Sequence, residues 1–124
     1  MAIRTVGVVG SGQMGNGIAQ VAACCGMEVT MVDIKQEYLD RGVSAISNSL
    51  EKLVSKDRMS REEADSAFSR IDSSVELESL SNCDLVVEAI PEVPELKFST
   101  FSKLDSICKP QAILASNTSS ISIN

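Results

Sequence analysis

Val6-Gly7-Val8-Val9-Gly10-Ser11-Gly12-Gln13-Met14-Gly15-Asn16-Gly17 runs from an apolar stretch straight into Gly10-x-Gly12-x-x-Gly15. The residues on either side suit a strand and then a helix. Ile3 to Val9 can form a buried strand, and Gln13 to Cys25 places Met14, Ile18, Val21 and Ala22 at helical spacing on one predicted face. A strand, a glycine loop and a helix in that order are the fingerprint of a loop that receives a dinucleotide pyrophosphate. Gly10 lets the chain turn off the strand, Gly12 lets the backbone approach the phosphates, and Gly15 lets the helix sit close. The helix then directs its free N–H groups and the positive end of its dipole at the phosphates.

A second apolar run, Val29 to Val32, ends at Asp33. An acidic residue here is placed to accept hydrogen bonds from the ribose hydroxyls of NAD. A 2′-phosphate would face like charge, and at about 4 Å and an effective dielectric near 20 each pair of unit charges costs roughly 4 kcal/mol. The reading therefore favours NAD over NADP, with Lys35 the nearby cation that could soften the discrimination. Asp33 is also a candidate N-cap for the following helix.

The 124 residues correspond to one domain or part of one, 44% hydrophobic and 23% charged, as expected for a soluble globular protein. A formal net charge of −6 without a basic block argues against nucleic acid. No apolar run reaches a membrane span, and the first strand begins without a secretory leader. Cys24, Cys25, Cys83 and Cys108 form no CxxC, and the chain contains no histidine. They are expected to be small apolar filler in a reducing compartment. The expected location is the cytoplasm, with the mitochondrial matrix or peroxisome as alternatives.

Strands are predicted near 3–9, 28–33, 70–73, 84–90 and 112–116, and helices over 13–25, 36–55, 60–68, 75–81 and 95–107. The alternation implies an α/β fold with a Rossmann-type, doubly wound parallel sheet. Leu39, Val43, Ile46, Leu50, Leu53 and Val54 make a stripe about five turns long. It ends near Lys56-Asp57-Arg58, and Ser60-x-x-Glu63 then announces another helix with capping-box spacing. A helical hairpin is thus inserted between strands 2 and 3. It either extends the core or walls a large substrate. Lys52, Lys56, Arg58 and Arg61 cluster at its bend as a solvated face or a phosphate attractor.

Ala115-Ser116-Asn117-Thr118-Ser119-Ser120 follows the last apolar strand. Ligands of such sheets bind beyond the strands' carboxyl ends, so these groups could orient an alcohol or carbonyl; they are also residues that turns prefer. Hydride transfer from an alcohol needs a base for the hydroxyl proton. Histidine is absent, and Tyr38 is followed four residues later by Gly42, which excludes the Tyr-x-x-x-Lys pairing of short-chain reductases. These residues read as a cofactor-binding half without its acid/base.

The opening Gly-Val-Val-Gly-Ser-Gly-Gln-Met-Gly-Asn-Gly-Ile-Ala-Gln, the Val-Val-Glu-Ala-Ile-Pro-Glu segment and the Ala-Ser-Asn-Thr-Ser-Ser-Ile run together resemble the N-terminal domain of 3-hydroxyacyl-CoA dehydrogenases. The resemblance covers essentially residues 1–124 and implies NAD-dependent interconversion of an L-3-hydroxyacyl-CoA and its 3-ketoacyl-CoA in fatty acid metabolism. It implies that Gly10, Ser11, Gly12, Gln13, Met14 and Gly15 hold the pyrophosphate and Asp33 the adenosine ribose, with Glu92 and Lys97 along the cofactor. Ser119 would bond the substrate oxygen, with Asn117 beside it, and Ser49 and Lys56 would contact CoA. Pro91, Val93 and Pro94 depart from the family's pattern ahead of Lys97. The resemblance also places the family's catalytic histidine, its glutamate partner and a helical dimer-forming domain downstream of this stretch, so 1–124 is expected to be an incomplete, inactive portion of a homodimeric enzyme. The alternatives are a non-catalytic nucleotide-binding or crystallin-like protein and another NAD-dependent dehydrogenase.

Overall fold

The computed structural model describes residues 3–90 and 94–116, except for the side chains of 94–98, 101 and 116. In chain order the elements are β1 (Thr5–Val9), α1 (Gln13–Cys24), β2 (Glu28–Val32), α2 (Gln36–Ser55), α3 (Arg61–Ser69), β3 (Ile71–Ser74), a short 3-10 turn (Leu77–Leu80), β4 (Leu85–Glu88), α4 (Pro94–Ile107) and β5 (Ile113–Ser116). The five strands form one sheet in the order β3-β2-β1-β4-β5, and every pairing is parallel. The expected doubly wound α/β sheet and its helical hairpin are both present. The helix expected at 75–81 is instead the single 3-10 turn, since only Leu80 of that turn is buried.

Alternation along β1 divides the core between the two faces of the sheet. Val6 and Val8 pack with Val29, Met31 and the inner residues of α1, α2 and α3. Val9 packs on the opposite side with Val32, Leu80, Val86 and Leu104. The α2 stripe holds as read: Leu39, Ile46 and Leu50 are buried, and Val43, Leu53 and Val54 lie against that core. The α3 start is also as read, since Ser60 Oγ accepts from Glu63 N–H at 3.0 Å and Glu63 Oε1 accepts from Ser60 N–H at 3.1 Å.

The face assigned to α1 is corrected in part: Ile18 and Ala22 pack against the core as read, but Met14 and Val21 do not. Its buried residues are Gly15, Ala19 and Ala23, whereas Met14 is 58% and Val21 65% exposed. Close approach to the sheet selects the stripe of small residues. The cysteines are corrected in part. Cys83 is buried and Cys108 half-buried, but Cys24 and Cys25 are exposed at the end of α1. Burial pushes the Cys83 thiol up to about 11, which suits an inert filler.

The end of the sheet opposite the glycine loop is tied together by Asp84, whose side chain is 13% exposed. It accepts from Lys109 Nζ at 2.6 Å and from the Arg4 and Thr5 N–H groups at 2.9 and 3.2 Å. The Lys109 bond, then the backbone donors, holds its carboxyl well below the usual carboxylate range. A lowered folded-state pKa contributes stability that is complete above the ordinary carboxylate value and is lost as acid protonates the folded state. We therefore expect Asp84→Asn to lower the melting temperature at neutral pH and to flatten its fall below about pH 4. Circular dichroism melts at a series of pH values measure this. Parallel acid limbs in the two proteins would refute it.

Candidate functional site

β1 ends level with both neighbours: Val9 is in register with Val32 on β2 and with Glu88 on β4. From β1 the chain winds outward through β2 and β3, then returns to β4 on the other side. That reversal opens a crevice at the carboxyl ends of β1 and β4, where ligands of such sheets bind. A cleft of about 1170 Å³ lies there, lined by residues 9–14, Asp33, Tyr38, Arg41, Ala89 and Ile90, with Thr100 and Lys103 of α4 on a further wall.

The glycine loop is built by contact. Gly10 has φ of +107°, and its N–H donates to Val32 O at 2.7 Å. A Cβ on Gly10 would stand 2.6 Å from Ala89 O. A Cβ on Gly15 would fall far inside the Gly10 carbonyl oxygen, so this glycine allows α1 to start against the loop. Gly12 is different, because among the described residues a Cβ there would meet nothing within 4 Å beyond its chain neighbours. The space above Gly12 belongs to the cleft and not to the protein core.

The start of α1 is suited to an anion. No side chain caps it at Gly12, and its first turn holds no acidic residue. By contrast, α3 satisfies its own first turn through Ser60 and Glu63, and α2 carries Glu37 in its first turn. Unpaired N–H groups at a helix start present about half a positive charge. The open space above Gly12 lies beside those groups, where a diphosphate would meet them.

Asp33 stands at the rim of the cleft. Its Oδ2 accepts from Ser11 N–H at 2.8 Å and Ser11 Oγ–H at 2.7 Å, and its Oδ1 accepts from Ile34 N–H at 2.7 Å. It does not cap α2, where Lys35 takes the N-cap position without a side-chain bond. The Lys35 ammonium and the Arg41 guanidinium each lie 5.6 Å from the centroid of the Tyr38 ring. Arg41 was not singled out by sequence, yet it lines the same cleft as Asp33.

Gly42 was also missed. A Cβ on it would stand 2.7 Å from Ser11 O and 3.0 Å from Ser11 Cβ, so α2 presses directly on the glycine loop. The available signal was a glycine inside a long helix, which costs about 1 kcal/mol relative to alanine and flags a close approach.

The structure unites Gly10, Ser11, Gly12, Gln13, Met14 and Asp33 at the cleft, while Gly15 supports the loop from within α1. Ser49 is half-buried on α2 and Lys56 is exposed at its end; neither lines the cleft. Arg61, from the basic cluster, is held by Glu51 at 2.5 Å and by Asp65 at 3.5 Å. Lys97 falls within α4, but its side chain lies outside the described residues, as do Glu92, Asn117 and Ser119 entirely.

The family model described as 3-hydroxyacyl-CoA dehydrogenase, NAD binding domain, matches residues 5–124. The chain belongs to that family. Its cofactor is NAD. It is 50% identical over 117 residues to a probable 3-hydroxybutyryl-CoA dehydrogenase of Deinococcus radiodurans, covering 94% of this chain and 42% of that protein. It is 40% identical to a 3-hydroxyadipyl-CoA dehydrogenase of Escherichia coli K12, covering 98% of this chain and 26% of that protein. The crystal structure of (S)-3-hydroxybutyryl-CoA dehydrogenase from Ralstonia eutropha superposes with a TM-score of 0.95 at 43% identity, covering 98% of this chain and 43% of that one. The chain thus spans less than half the length of these family members. Among the described residues, no helix is long and apolar enough to cross a membrane.

Proposed function

We propose that this chain is the cofactor-binding portion of an NAD-dependent L-3-hydroxyacyl-CoA dehydrogenase, interconverting 3-hydroxyacyl-CoA and 3-ketoacyl-CoA. The observation that carries the reading is the clear space above Gly12 at the uncapped start of α1, beside the Asp33 carboxylate. Bound NAD supplies the hydride acceptor, and NADH the donor. Residues 10–15 hold the diphosphate, Asp33 receives a ribose hydroxyl, and Glu92 and Lys97 line the cofactor's path. Ser119 donates a hydrogen bond to the substrate C3 oxygen with Asn117 beside it, steadying that oxygen as it gains charge. Ser49 and Lys56 lie two helical turns apart, the spacing of one helix face, and there they engage CoA. The hairpin is then a substrate wall as well as core. Holding both reactants in register supplies much of the rate.

These 124 residues hold no histidine, and the family resemblance assigns the hydroxyl proton to a histidine outside them. The proposal places that base, and a dimer interface, in the part of the enzyme beyond the matched region. Residues 1–124 alone are then an NAD-binding domain without turnover, and the site of action is the cytoplasm.

The test is twofold. The chain should bind NADH in a fluorescence titration. The full-length protein should oxidise NADH with acetoacetyl-CoA, and Lys56→Ala should raise KM for the CoA substrate about threefold to tenfold with kcat little changed, the sign of lost uniform binding. A full-length protein that binds NADH but leaves acetoacetyl-CoA unreduced would refute the enzyme reading.

A further inference from the structure

We propose that Ser11 is a positioning residue that sets cofactor choice by clamping Asp33, so that the carboxylate presents only Oδ1 to the incoming ribose. The proposal rests on the NAD reading above. An ionised carboxylate offers about four acceptor positions. Three are already filled. Ser11 donates twice to Oδ2, from N–H at 2.8 Å and Oγ–H at 2.7 Å, and the Ile34 N–H takes one position on Oδ1 at 2.7 Å. One position remains, and it belongs to Oδ1.

The clamp is not a loose surface contact. Ser11 is 3% exposed. The Gly42 turn of α2 closes its outer side so tightly that one added methyl would stand 2.7 Å from Ser11 O. Ser11 cannot retreat toward α2. The level ends of β1 and β2 bring the two residues together across 22 positions of sequence. With the carboxylate fixed, its negative charge stands at one place on the cleft rim. A ribose hydroxyl can donate to it there, and a 2′-phosphate meets a charge that cannot turn aside. Loss of the hydroxyl leaves Asp33 held by two backbone donors, one on each oxygen, and frees a second acceptor position, on Oδ2.

The experiment uses the chain with Ser11→Ala and with Ser11→Gly, both of which delete the hydroxyl and retain the N–H donor. Dissociation constants for NADH and NADPH are measured by nicotinamide fluorescence, and melting temperatures by circular dichroism. Asp84→Asn, remote from the cleft, is the control for general destabilisation. The NADH-over-NADPH preference should narrow about tenfold in both Ser11 variants, the order expected for losing one hydrogen bond to a charged group, and stay unchanged in Asp84→Asn. An unchanged preference in either folded Ser11 variant overturns the proposal while leaving the NAD reading intact. Equal narrowing in Asp84→Asn also overturns it, because preference would then follow stability. Failure of the unsubstituted chain to bind NADH overturns the NAD reading and the clamp with it.

Discussion

Gly15→Ala should lower the stability of the chain by roughly 3 kcal/mol or more, in the upper range for overpacking. The new methyl would be built into the Gly10 carbonyl, which is backbone and has no rotamer to escape into. Gly10 is itself pinned between Val32 O, to which its N–H donates at 2.7 Å, and Ala89 O, which stands 2.6 Å from where its own Cβ would be. The helix start must therefore lift from the sheet, and the Ala19–Ala23 stripe lifts with it. For a domain of this size the melting temperature should fall by roughly 10 °C or more. Gly12→Ala should behave in the opposite way. Its backbone, at φ −67° and ψ −170°, suits any residue, and among the described residues the added methyl meets nothing within 4 Å beyond its chain neighbours. Stability should stay within about 1 kcal/mol, the scale of a helix N-cap substitution. NADH affinity should fall by about a hundredfold or more, on the order of 3 kcal/mol, because the methyl takes the space where a diphosphate would meet the helix. Thermal melts and NADH titrations of the two variants separate the effects. Full NADH affinity in Gly12→Ala would remove the diphosphate from that loop.

The same pair of glycines shows what the sequence makes legible. Gly10-x-Gly12-x-x-Gly15 between an apolar run and a helix leaves little choice of local fold, and parallel alternation follows from the order of elements. Ser60 and Glu63 announced the start of α3 by their spacing, because a capping box is a purely local device. Half of the α1 face is legible, since Ile18 and Ala22 do pack against the core, but periodicity also draws in the large Met14 and Val21, which are exposed. The choice between that stripe and Gly15-Ala19-Ala23 depends on how near the sheet lies, which no single helix encodes. The Ser11–Asp33 bond and the Gly42 contact are hidden for a related reason. They depend on Val9 and Val32 ending side by side and on where a 20-residue helix crosses the loop. The 75–81 segment has helical composition but too few apolar contacts to extend beyond one turn. The roles given to Asn117, Ser119, Glu92 and Lys97 rest on resemblance, since those groups lie outside the described residues.

Asp33→Ala should reverse much of the discrimination between the two nicotinamide cofactors. In the unsubstituted chain a 2′-phosphate would approach a carboxylate held by three hydrogen bonds, and that carboxylate cannot move away without breaking them. At about 4 Å and an effective dielectric near 20, repulsion between unit charges is roughly 4 kcal/mol, close to a thousandfold in affinity, and salt and water at the cleft rim reduce it. Removal of the carboxylate takes away that repulsion. It also leaves Arg41, which lines the same cleft, with Lys35 near the same Tyr38 ring, as cations available to a phosphate. NADH should lose about tenfold in affinity with its ribose acceptor, and NADPH should gain, so that their ratio shifts by roughly two orders of magnitude. Arg41→Ala added to Asp33→Ala should return part of the NADPH gain without altering NADH. The NADPH gain should also shrink as ionic strength rises, since a rim cation acts through solvent. Titrations of both cofactors at low and high salt decide the matter. A ratio unmoved by Asp33→Ala would mean that the loop alone, and not the carboxylate beside it, distinguishes the two.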